Sequence, residues 1–389
     1  MQKQDMPKQR IALLGSTGSI GEQTLQVIRD NSSLFEITTL TAHNNWQRLV
    51  EQALEFQPDS VVIANKQHYN SVSEALSNQN IKIYAGSESV EQIVENSNID
   101  IVVSALVGFS GLFPTINSLK HSKRVALANK ESLVVAGETV MRLSSQHNAA
   151  IIPVDSEHSA IFQSLVGEYS PIEKVILTAS GGPLLGWTKD RIANATIDQV
   201  LAHPSWVMGK KITVDSASMM NKGFEVIEAK WLFDLKPSQI EVVVHPTSMI
   251  HSMVQFEDGA VKAQMGTPDM RLPIQYALTF PRRLKMDMSN RIDFTKTINL
   301  TFQKPNTDSF PCLKIAYEAM RQAGNTPCTV NAANEIAVAA FLNGEISFGK
   351  IPQIIENCMT KINYVSSPTL DDYRNTDTIT REMAKTMIK

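Results

Sequence analysis

An apolar run that enters a glycine-rich turn opens this sequence, at 10–21 (Arg-Ile-Ala-Leu-Leu-Gly-Ser-Thr-Gly-Ser-Ile-Gly). Thr24, Leu25 and Ile28 then recur at helical spacing, and a second strand-like run follows at Phe35–Leu40. In such a strand–turn–helix–strand unit the glycines let the backbone approach a pyrophosphate, whose charge is stabilised by the positive end of the helix. A purely structural glycine turn is the alternative. The complete unit favours a dinucleotide site.

Strand-like runs continue to alternate with helical patterns up to about residue 154. This alternation predicts an α/β fold that begins with a Rossmann-like, mostly parallel, doubly wound sheet. The predicted strands are Ile11–Leu14, Ile37–Leu40, Ser60–Ile63, Ile81–Ala85, Ile101–Ser104, Val125–Ala128 and Ile151–Val154.

The pattern changes after about Glu173, which predicts two further regions. A central α+β catalytic domain would contain the strands Lys174–Thr178, Glu241–Val244, Ile250–Phe256 and Ala260–Met265, a helix near Asn221–Phe233 and a long irregular segment 179–211. A small helical domain would follow, with apolar periodicity at Leu313–Met320, Val330–Leu342 and Ile351–Met359. The predicted domains are therefore 1–153, 154–303 and 304–389.

Composition narrows the class of protein. The 389 residues are 43% hydrophobic with a net charge of −3, which gives no indication of nucleic-acid binding. No apolar stretch is long enough to span a membrane, and Met1–Arg10 lacks the core of a signal peptide, so we expect a cytoplasmic protein. Cys312, Cys328 and Cys358 are odd in number and widely spaced, which predicts reduced packing residues rather than disulfides, a redox pair or a zinc site.

Two acidic clusters, around Asp155-Ser156-Glu157 and around Glu225, suggest a metal site. If the chain stays extended after Ile151–Val154, Asp155 and Glu157 point to one face at the carboxyl end of a strand, where open α/β sheets bind ligands. Oxygen donors without cysteine favour Mg²⁺ or Mn²⁺ over zinc. Helix capping or pairing with lysine is an equally good interpretation of Asp155 and Glu225.

Phosphate binding needs hydroxyls, amides and a cation near helix amino termini. Ser180-Gly181-Gly182, Ser216, Asn221 and Lys222 supply these groups, although each alone is more often a turn or a cap. The long segment 181–209, with His203 and Trp206 in its second half, suggests a flexible flap over the substrate.

Several long motifs resemble the 1-deoxy-D-xylulose 5-phosphate reductoisomerase family over essentially the whole chain. They are Gly-Ser-Thr-Gly-Ser-Ile-Gly at 15–21, Ala-Leu-Ala-Asn-Lys-Glu-Ser at 126–132, Pro-Val-Asp-Ser-Glu-His-Ser at 153–159, Ser-Gly-Gly-Pro at 180–183, His-Pro-Ser-Trp-Val-Met-Gly at 203–209, Val-Asp-Ser-Ala-Ser-Met-Met-Asn-Lys-Gly at 214–223 and His-Pro-Thr-Ser-Met-Ile-His-Ser-Met-Val at 245–254.

The resemblance implies an enzyme that depends on NADPH and on a divalent metal, Mg²⁺ or Mn²⁺ with Co²⁺ as a further option. It would act as a homodimer on a small phosphosugar, 1-deoxy-D-xylulose 5-phosphate, and form 2-C-methyl-D-erythritol 4-phosphate in the non-mevalonate isoprenoid route. No nucleic acid or membrane partner is expected.

By motif position, the resemblance also implies roles for individual residues. The metal would be held by Asp155, Glu157 and Glu225, and the phosphate by Ser180, Ser216, Asn221 and Lys222. The substrate would also contact Lys130, Ser156, Glu157, His203, Trp206 and Glu225, with Lys130, Glu157 and His203 as the catalytic set. NADPH would contact Thr17, Gly18, Ser19, Ile20, Asn129, Glu131 and Gly209, and Met208 and Met270 would line the nicotinamide or substrate wall.

One departure from the family pattern concerns the cofactor. Many members have Gly-Lys-Asn after the second strand, where this chain has Ala42-His43-Asn44-Asn45. No carboxylate stands there to accept a hydrogen bond from a ribose 2′-hydroxyl, so NAD specificity is not supported. His43, Asn44 and Asn45, with Arg48 as a further candidate, would contact the 2′-phosphate, and we expect a reduced preference for NADPH.

Three other classes of protein are weighed against this interpretation. A Rossmann dehydrogenase using a cysteine thiolate would need a cysteine on the catalytic sheet, whereas all three follow Pro311. A metal-dependent phosphatase would use the carboxylates without binding NADPH. A non-catalytic redox sensor would tolerate alanine at Asp155.

Overall fold

The computed structural model describes residues 7–204, 206, 208–287 and 291–388, and these form two compact units. Unit 1 contains the described residues of 1–129, 139–155 and 270–287, and unit 2 those of 130–138, 156–269 and 288–389. The strands are β1 Gln9–Leu14, β2 Phe35–Ala42, β3 Ser60–Ile63, β4 Lys82–Ala85, β5 Ile101–Ser104, β6 Arg124–Leu127, β7 Ile151–Pro153, β8 Ile172–Ala179, β9 Ile240–Val244, β10 Ile250–Phe256 and β11 Val261–Met265.

The α-helices alternate with the strands of unit 1 and predominate after the last strand of unit 2. In chain order they are α1 Ser19–Asp30, α2 Trp46–Phe56, α3 Tyr69–Ala75, α4 Ser87–Ile93, α5 Leu112–Lys120, α6 Glu131–Gln146 with a kink at Ala136, α7 Ser156–Leu165, α8 Lys189–Ala193, α9 Ile197–Leu201, α10 Lys210–Ser218, α11 Met220–Leu232, α12 Arg271–Thr279, α13 Pro311–Gln322, α14 Thr326–Leu342, α15 Lys350–Lys361 and α16 Leu370–Thr386.

Unit 1 is built on a parallel sheet with the strand order β4-β3-β2-β1-β5-β6-β7. The central strands are buried over most of their length, with only Gln9 and Arg10 at the start of β1 accessible, because helices cover both faces of a doubly wound sheet. The chain winds outward in one direction from β1 through β2 and in the other from β5, so the topological switch point lies between β1 and β5. Ligands of open α/β sheets bind outside the carboxyl ends of the strands at such a point.

The glycine turn after β1 packs closely against the loop after β5. Gly15 has a φ of +82°, and a Cβ there would lie 2.6 Å from the carbonyl oxygen of Ala105. The backbone can therefore approach this closely only because residue 15 has no side chain.

Unit 2 contains a mixed sheet with the order β11-β10-β8-β9, in which β8 and β9 are parallel and the other pairs antiparallel. One apolar core joins this sheet to the helices that follow it. It includes Leu177 of β8, Phe224 of α11, Val338 of α14 and Ile355 of α15. The expected α/β fold with a helical carboxyl-terminal region is confirmed.

Most strand predictions are correct to within one or two residues, but the helix predictions need correction. The segment 179–211 is not irregular throughout, since it contains α8 and α9 and ends in the first turn of α10. Helices α10, α12 and α16 were not predicted. Helix α16 (LDDYRNTDTITREMAKT) is largely polar, and its beginning is set by a capping box between Thr369 and Asp372 rather than by apolar periodicity.

Some expectations stay predictions. The predicted domain boundaries after residues 153 and 303 refer to functional segments and stay predictions. The two compact units of the structure have different boundaries. Residues 1–6, which belong to the expectation about a signal peptide, lie outside the described residues. None of the described helices is both long and apolar enough to traverse a bilayer. Cys312, Cys328 and Cys358 are buried free thiols, as expected.

The tight glycine turn gives a stability prediction. Alanine at Gly21 should gain up to about 1 kcal/mol in helix propensity. However, its Cβ would overlap the backbone carbonyls of Gly15 and Ser16, which cannot rotate away. Because overpacking costs about 1–3 kcal/mol or more, we expect Gly21→Ala to lower the free energy of unfolding by at least about 1 kcal/mol in urea denaturation.

Gly18→Ala is the matched control for this prediction. Gly18 has an ordinary φ of −83°, and a Cβ there would meet its nearest neighbour at 3.5 Å. We expect a change of less than about 1 kcal/mol, as is usual for a cap substitution. Equal effects of the two substitutions would contradict the close-packed turn.

Candidate active site

The predicted NADPH contacts of unit 1 follow the carboxyl ends of its central strands. Thr17 and Gly18 lie between β1 and α1, and the parallel pairing of β1 with β2 places the 43–45 segment at the same edge of the sheet. Ser19 and Ile20 form the first turn of α1. The helix amino terminus and exposed glycine backbone give this edge the character of an anion site.

Asn129 is fully buried at the carboxyl end of β6. Its amide donates to the carbonyl oxygens of Leu106 and Gly108, at 2.8 and 3.0 Å, and so holds the loop that follows β5. Gly111 fits against the same amide and leaves no room for a Cβ. Asn129 therefore shapes the edge at the switch point, and its direct contact with NADPH stays a prediction.

The segment predicted to meet the 2′-phosphate carries an arginine that already has two anionic partners. Arg48 donates to both carboxylate oxygens of Glu22, at 2.6 and 2.9 Å, and to Glu51 at 2.6 Å. These bonds raise the pKa of Arg48 further above its ordinary value. His43 and Asn44 are exposed, whereas Asn45 caps α2 by accepting from the Arg48 amide. A 2′-phosphate would have to compete with Glu22 and Glu51 for Arg48.

The three carboxylates predicted to bind metal do converge. Asp155, Glu157 and Glu225 each offer an oxygen, and these oxygens lie within 4.8 Å of one another. Asp155 is the last residue of unit 1 and is joined directly to Ser156 of α7, so local backbone geometry sets its position beside Glu157. Glu225 reaches the cluster from α11 and is fully buried. Three hard oxygen donors at this separation fit an ion such as Mg²⁺ or Mn²⁺.

The expected extended geometry of the first acidic cluster is wrong. Helix α7 begins at Ser156, so Glu157 lies in the first helical turn rather than on a strand. The two acidic side chains converge because Asp155 immediately precedes the helix that carries Glu157. The Ser156 hydroxyl donates to Glu157 at 2.6 Å and fixes the orientation of its carboxylate.

Lys222 occupies the centre of this acidic group. Its ammonium donates to Glu157 at 2.8 Å and also to Glu225. Burial opposes ionisation of Glu157, but Lys222 and Ser156 lower the pKa of its carboxyl group to about 2. Burial likewise opposes the charge of Lys222, and the two carboxylates raise its pKa. Glu157 and Lys222 are thus held as ions, with the ammonium in a position suited to a cation.

A second lysine approaches from the amino-terminal end of α6. Lys130 is buried rather than exposed, and its ammonium lies 3.0 Å from Asn221 Oδ1 and 3.4 Å from Glu225 Oε1. Asn221 in turn donates to Glu225 at 2.6 Å. The structure therefore brings Lys130, Asn221 and Glu225 into one contact group.

The predicted phosphate residues come from three segments. Ser180 directly follows β8, and its hydroxyl accepts from the Gly182 amide at 3.2 Å. Gly182 has a φ of +68°, and a Cβ there would lie 2.9 Å from the carbonyl oxygen of Ser216 in α10. The glycine turn thus packs directly on the helix that carries Ser216. Asn221 and Lys222 lie in the first turn of the next helix, α11.

His203 links the predicted flap to this region. The Trp206 amide donates to His203 Nδ1 at 3.1 Å, so Nε2 carries the proton of the neutral ring and donates to Ser180 Oγ at 3.2 Å. The Trp206 ring also lies 6.3 Å from that of His251. Met208 is half-buried and Gly209 caps α10. Ser205 and Val207 of the flap lie outside the described residues, and Met270, at the start of α12, belongs to unit 1.

Sequence reasoning missed a buried pair next to the carboxylates. His158 and Glu228 are both fully buried, with His158 Nδ1 3.2 Å from a Glu228 oxygen, and the other ring nitrogen lies 2.9 Å from the Glu225 carbonyl oxygen. With Asp155 they form a second group of potential metal ligands. The spacing of Glu228 three residues after Glu225 on one helix was the available signal.

The site and the fold together define a class. A doubly wound nucleotide-binding unit, with a carboxylate cluster suited to a hard divalent cation, is characteristic of an enzyme that uses both a dinucleotide and a metal. Family models agree: that of 1-deoxy-D-xylulose 5-phosphate reductoisomerase matches residues 11–137, and two models of its carboxyl-terminal domains match 151–233 and 265–383.

Relatives cover nearly the whole chain. The 1-deoxy-D-xylulose 5-phosphate reductoisomerase of Bacteroides fragilis is 56% identical over 385 residues, which is 99% of each chain, and that of Chloroherpeton thalassium is 49% identical over 96% of each. This chain belongs to the 1-deoxy-D-xylulose 5-phosphate reductoisomerase family.

Two solved structures are also similar. A crystal structure of DOX-P reductoisomerase in complex with NADPH, fosmidomycin and magnesium has a TM-score of 0.93 at 38% identity and covers 98% of both chains. The Zymomonas mobilis enzyme in complex with NADPH has a TM-score of 0.90 at 37% identity and covers 98% of this chain and 100% of its own.

The bonds of His203 lead to a prediction about pH. Burial lowers the pKa of His203 below its ordinary 6.5. Because the unfolded chain then binds the proton more readily, the contribution of His203 to stability is complete above about pH 6.5 and falls as the pH drops below it. Protonation at Nδ1 also removes the acceptor for the Trp206 amide. By NMR we expect a His203 midpoint below 6.5, with the Trp206 indole signal following the same midpoint.

His203→Asn is the control for this titration. Its side-chain oxygen can still accept from the Trp206 amide, but it does not titrate, so the Trp206 transition should disappear. A His203 midpoint at or above 6.5 would contradict the assigned tautomer and its burial.

Proposed function

We propose that this protein is an NADPH- and divalent-metal-dependent reductoisomerase that converts 1-deoxy-D-xylulose 5-phosphate into 2-C-methyl-D-erythritol 4-phosphate. The carbon skeleton of the phosphosugar rearranges to an aldehyde, and hydride from NADPH then reduces it. The observation that carries the proposal is the convergence of Asp155, Glu157 and Glu225 with two buried lysines. Full-length relatives with the same named activity support it.

The carboxylates would hold the divalent metal. A bound metal polarises neighbouring hydroxyl and carbonyl oxygens, which assists both the rearrangement and the reduction. Lys222 forms ion pairs with both Glu157 and Glu225 in the structure. Once a divalent cation supplies that positive charge, the ammonium of Lys222 is free to bind the substrate phosphate.

The remaining residues would bind the substrate and move protons. The phosphate would be held by Ser180, Ser216 and Asn221 together with Lys222, because these groups supply hydroxyls, an amide and a cation. Lys130 and Ser156 would donate to oxygens of the sugar chain. Lys222 lowers the pKa of Glu157 to about 2, so its carboxylate would accept a proton from a substrate hydroxyl only once Lys222 turns to the phosphate.

The flap would exclude water from the reacting groups. The main-chain amide of Trp206 donates a hydrogen bond to the ring of His203, so the two residues would move together over the substrate. Thr17, Gly18, Ser19, Ile20 and the 43–45 segment would bind NADPH in unit 1. We also propose contacts of Asn129, Glu131 and Gly209 with NADPH, and a nicotinamide or substrate wall formed by Met208 and Met270.

The direct test of this function is NADPH oxidation with purified protein and 1-deoxy-D-xylulose 5-phosphate. We expect turnover with Mg²⁺ and its loss by at least about 100-fold after chelation, since metal assistance is worth several kcal/mol. Mn²⁺ should restore activity. NADPH binding without turnover under all these conditions would contradict the proposal and favour a non-catalytic redox sensor.

Glutamine substitutions separate the two carboxylate roles. Glu225→Gln should lose metal affinity and turnover in proportion, because Glu225 acts as a ligand. Glu157→Gln should lose turnover by about 10²–10⁴-fold, more than it loses metal affinity, if Glu157 also transfers a proton. Calorimetric titration measures the metal affinity, and steady-state kinetics measures the turnover. If Glu157→Gln loses both in proportion, Glu157 is a metal ligand only.

Cofactor preference follows from the 43–48 segment. His43 and Asn44 are exposed, and Arg48 is already paired with two carboxylates. Each of these three side chains should therefore add no more than about 1 kcal/mol to binding of a 2′-phosphate. We therefore expect kcat/KM for NADPH to exceed that for NADH by about tenfold. Equal efficiency with the two cofactors would refute this assignment of the segment.

Two properties complete the proposal. We propose that the protein acts as a homodimer in the cytoplasm. Analytical ultracentrifugation and fractionation would test these points, and a monomer at working concentration or a membrane-bound pool would contradict them.

A further inference from the structure

A buried ion triad lies beside the metal and phosphate residues, and of its three members only Glu131 has a role in the proposed function, as a contact of NADPH. The ammonium of Lys211 lies 2.8 Å from Asp215 Oδ2 and 2.9 Å from Glu131 Oε1. Asp215 and Glu131 are buried, with 1% and 7% of their surfaces exposed. One cation therefore serves two carboxylates that come from different segments of the chain.

Each member of the triad adjoins a residue of the proposed site. Glu131 directly follows Lys130, and Asp215 directly precedes Ser216. Lys211 itself lies two residues after Gly209, where the flap ends and α10 begins. The triad thus connects the segment of the substrate-binding lysine, the helix of the phosphate-binding serine and the end of the flap.

The surroundings of the triad fix it in place. The second oxygen of Asp215 accepts from Asn334 of α14 at 2.8 Å, and Asn334 is fully buried. The Lys211 ammonium also lies 5.3 Å from the ring centroid of Phe224, on the helix that carries Asn221 and Glu225. Burial opposes the charge of Lys211, but Asp215 and Glu131 raise its pKa, so the ammonium persists at any working pH.

Stability alone does not account for such an arrangement. Replacing a buried ion network by uncharged groups of similar volume is often neutral or stabilising, because burying charges is costly. One ammonium shared by two carboxylates does fix the distance between the two backbone segments that carry them, because both ion pairs form only at that distance. In this chain those segments carry Lys130 and Ser216.

We propose that Lys211 is a positioning residue that sets the distance between Lys130 and the phosphate-binding turn of Ser216 and anchors the end of the flap. It touches neither substrate nor metal and acts through Glu131 and Asp215. The roles of Lys130 and Ser216 rest on the proposed function.

The test uses the double variant Lys211→Met with Asp215→Asn in the full-length protein. This pair removes one charge of each sign, and asparagine can still accept from Asn334. Glu131 keeps its charge without the Lys211 ammonium, so we expect a folded protein with a lower melting temperature. We also expect KM for 1-deoxy-D-xylulose 5-phosphate raised at least about tenfold, and kcat lowered. Binding of inorganic phosphate, measured by calorimetry, should weaken by a similar factor.

A matched control removes an exposed ion pair from the same unit. Lys174 and Glu241 are 2.7 Å apart on β8 and β9, so Lys174→Met with Glu241→Gln should leave phosphate affinity, KM and kcat unchanged. Lys211→Arg, which retains a cation able to bind two carboxylates, should recover most of the phosphate affinity that the double variant loses.

Three outcomes would overturn the inference. The first is a folded double variant with wild-type phosphate affinity and KM. The second is a double variant that does not fold, which would make the triad a requirement for folding. The third is an Lys211→Arg protein whose phosphate affinity is no higher than that of the double variant. The phosphate titration needs no turnover. Failure of the proposed function would instead appear as a wild-type protein that binds phosphate but does not oxidise NADPH with the phosphosugar.

Discussion

The fully buried carboxylate of Glu225 is the constraint around which unit 2 is arranged. An ionised carboxyl group without a partner in a protein interior is very costly, so cations and donors must surround it. Lys222, Lys130 and Asn221 all direct polar groups at Glu225, and Glu157 shares Lys222 with it. A site that must collect positive charge around fixed carboxylates is well suited to a divalent cation. Under the proposed function, the lysines would then bind the anionic substrate.

The two units offer different kinds of binding group, which are main-chain amides in unit 1 and charged side chains in unit 2. Under the proposed function, the phosphates of a dinucleotide would need exposed amides in unit 1, and a glycine turn at the β1–β5 switch point would present them. The phosphosugar and metal would need charged side chains held in place in unit 2, and the helices α7, α10 and α11 would carry them. Rigid helices hold such side chains more precisely than loops do.

The sequence was informative where the chemistry depends on residues close together in the chain. The turn at 15–21, the central strands and the three carboxylates were predicted from spacing and motif. The helical position of Glu157 was not, because Asp-x-Glu after a strand fits an extended chain as well as a helix that begins at Ser156. The pairing of Lys211 with its two carboxylates was not predicted, because Glu131 and Asp215 are 84 residues apart and meet only in the folded chain. The pairing of Arg48 with Glu22 was hidden for the same reason.

The most direct measurement of the central claim is anomalous diffraction from crystals of the protein grown with Mn²⁺. The account predicts one strong peak at about 2.0–2.3 Å from carboxylate oxygens of Asp155, Glu157 and Glu225, with the ammonium of Lys222 moved away from them. A peak at Asp155, His158 and Glu228 instead, or Lys222 still bound between Glu157 and Glu225 with no metal beside it, would contradict the account.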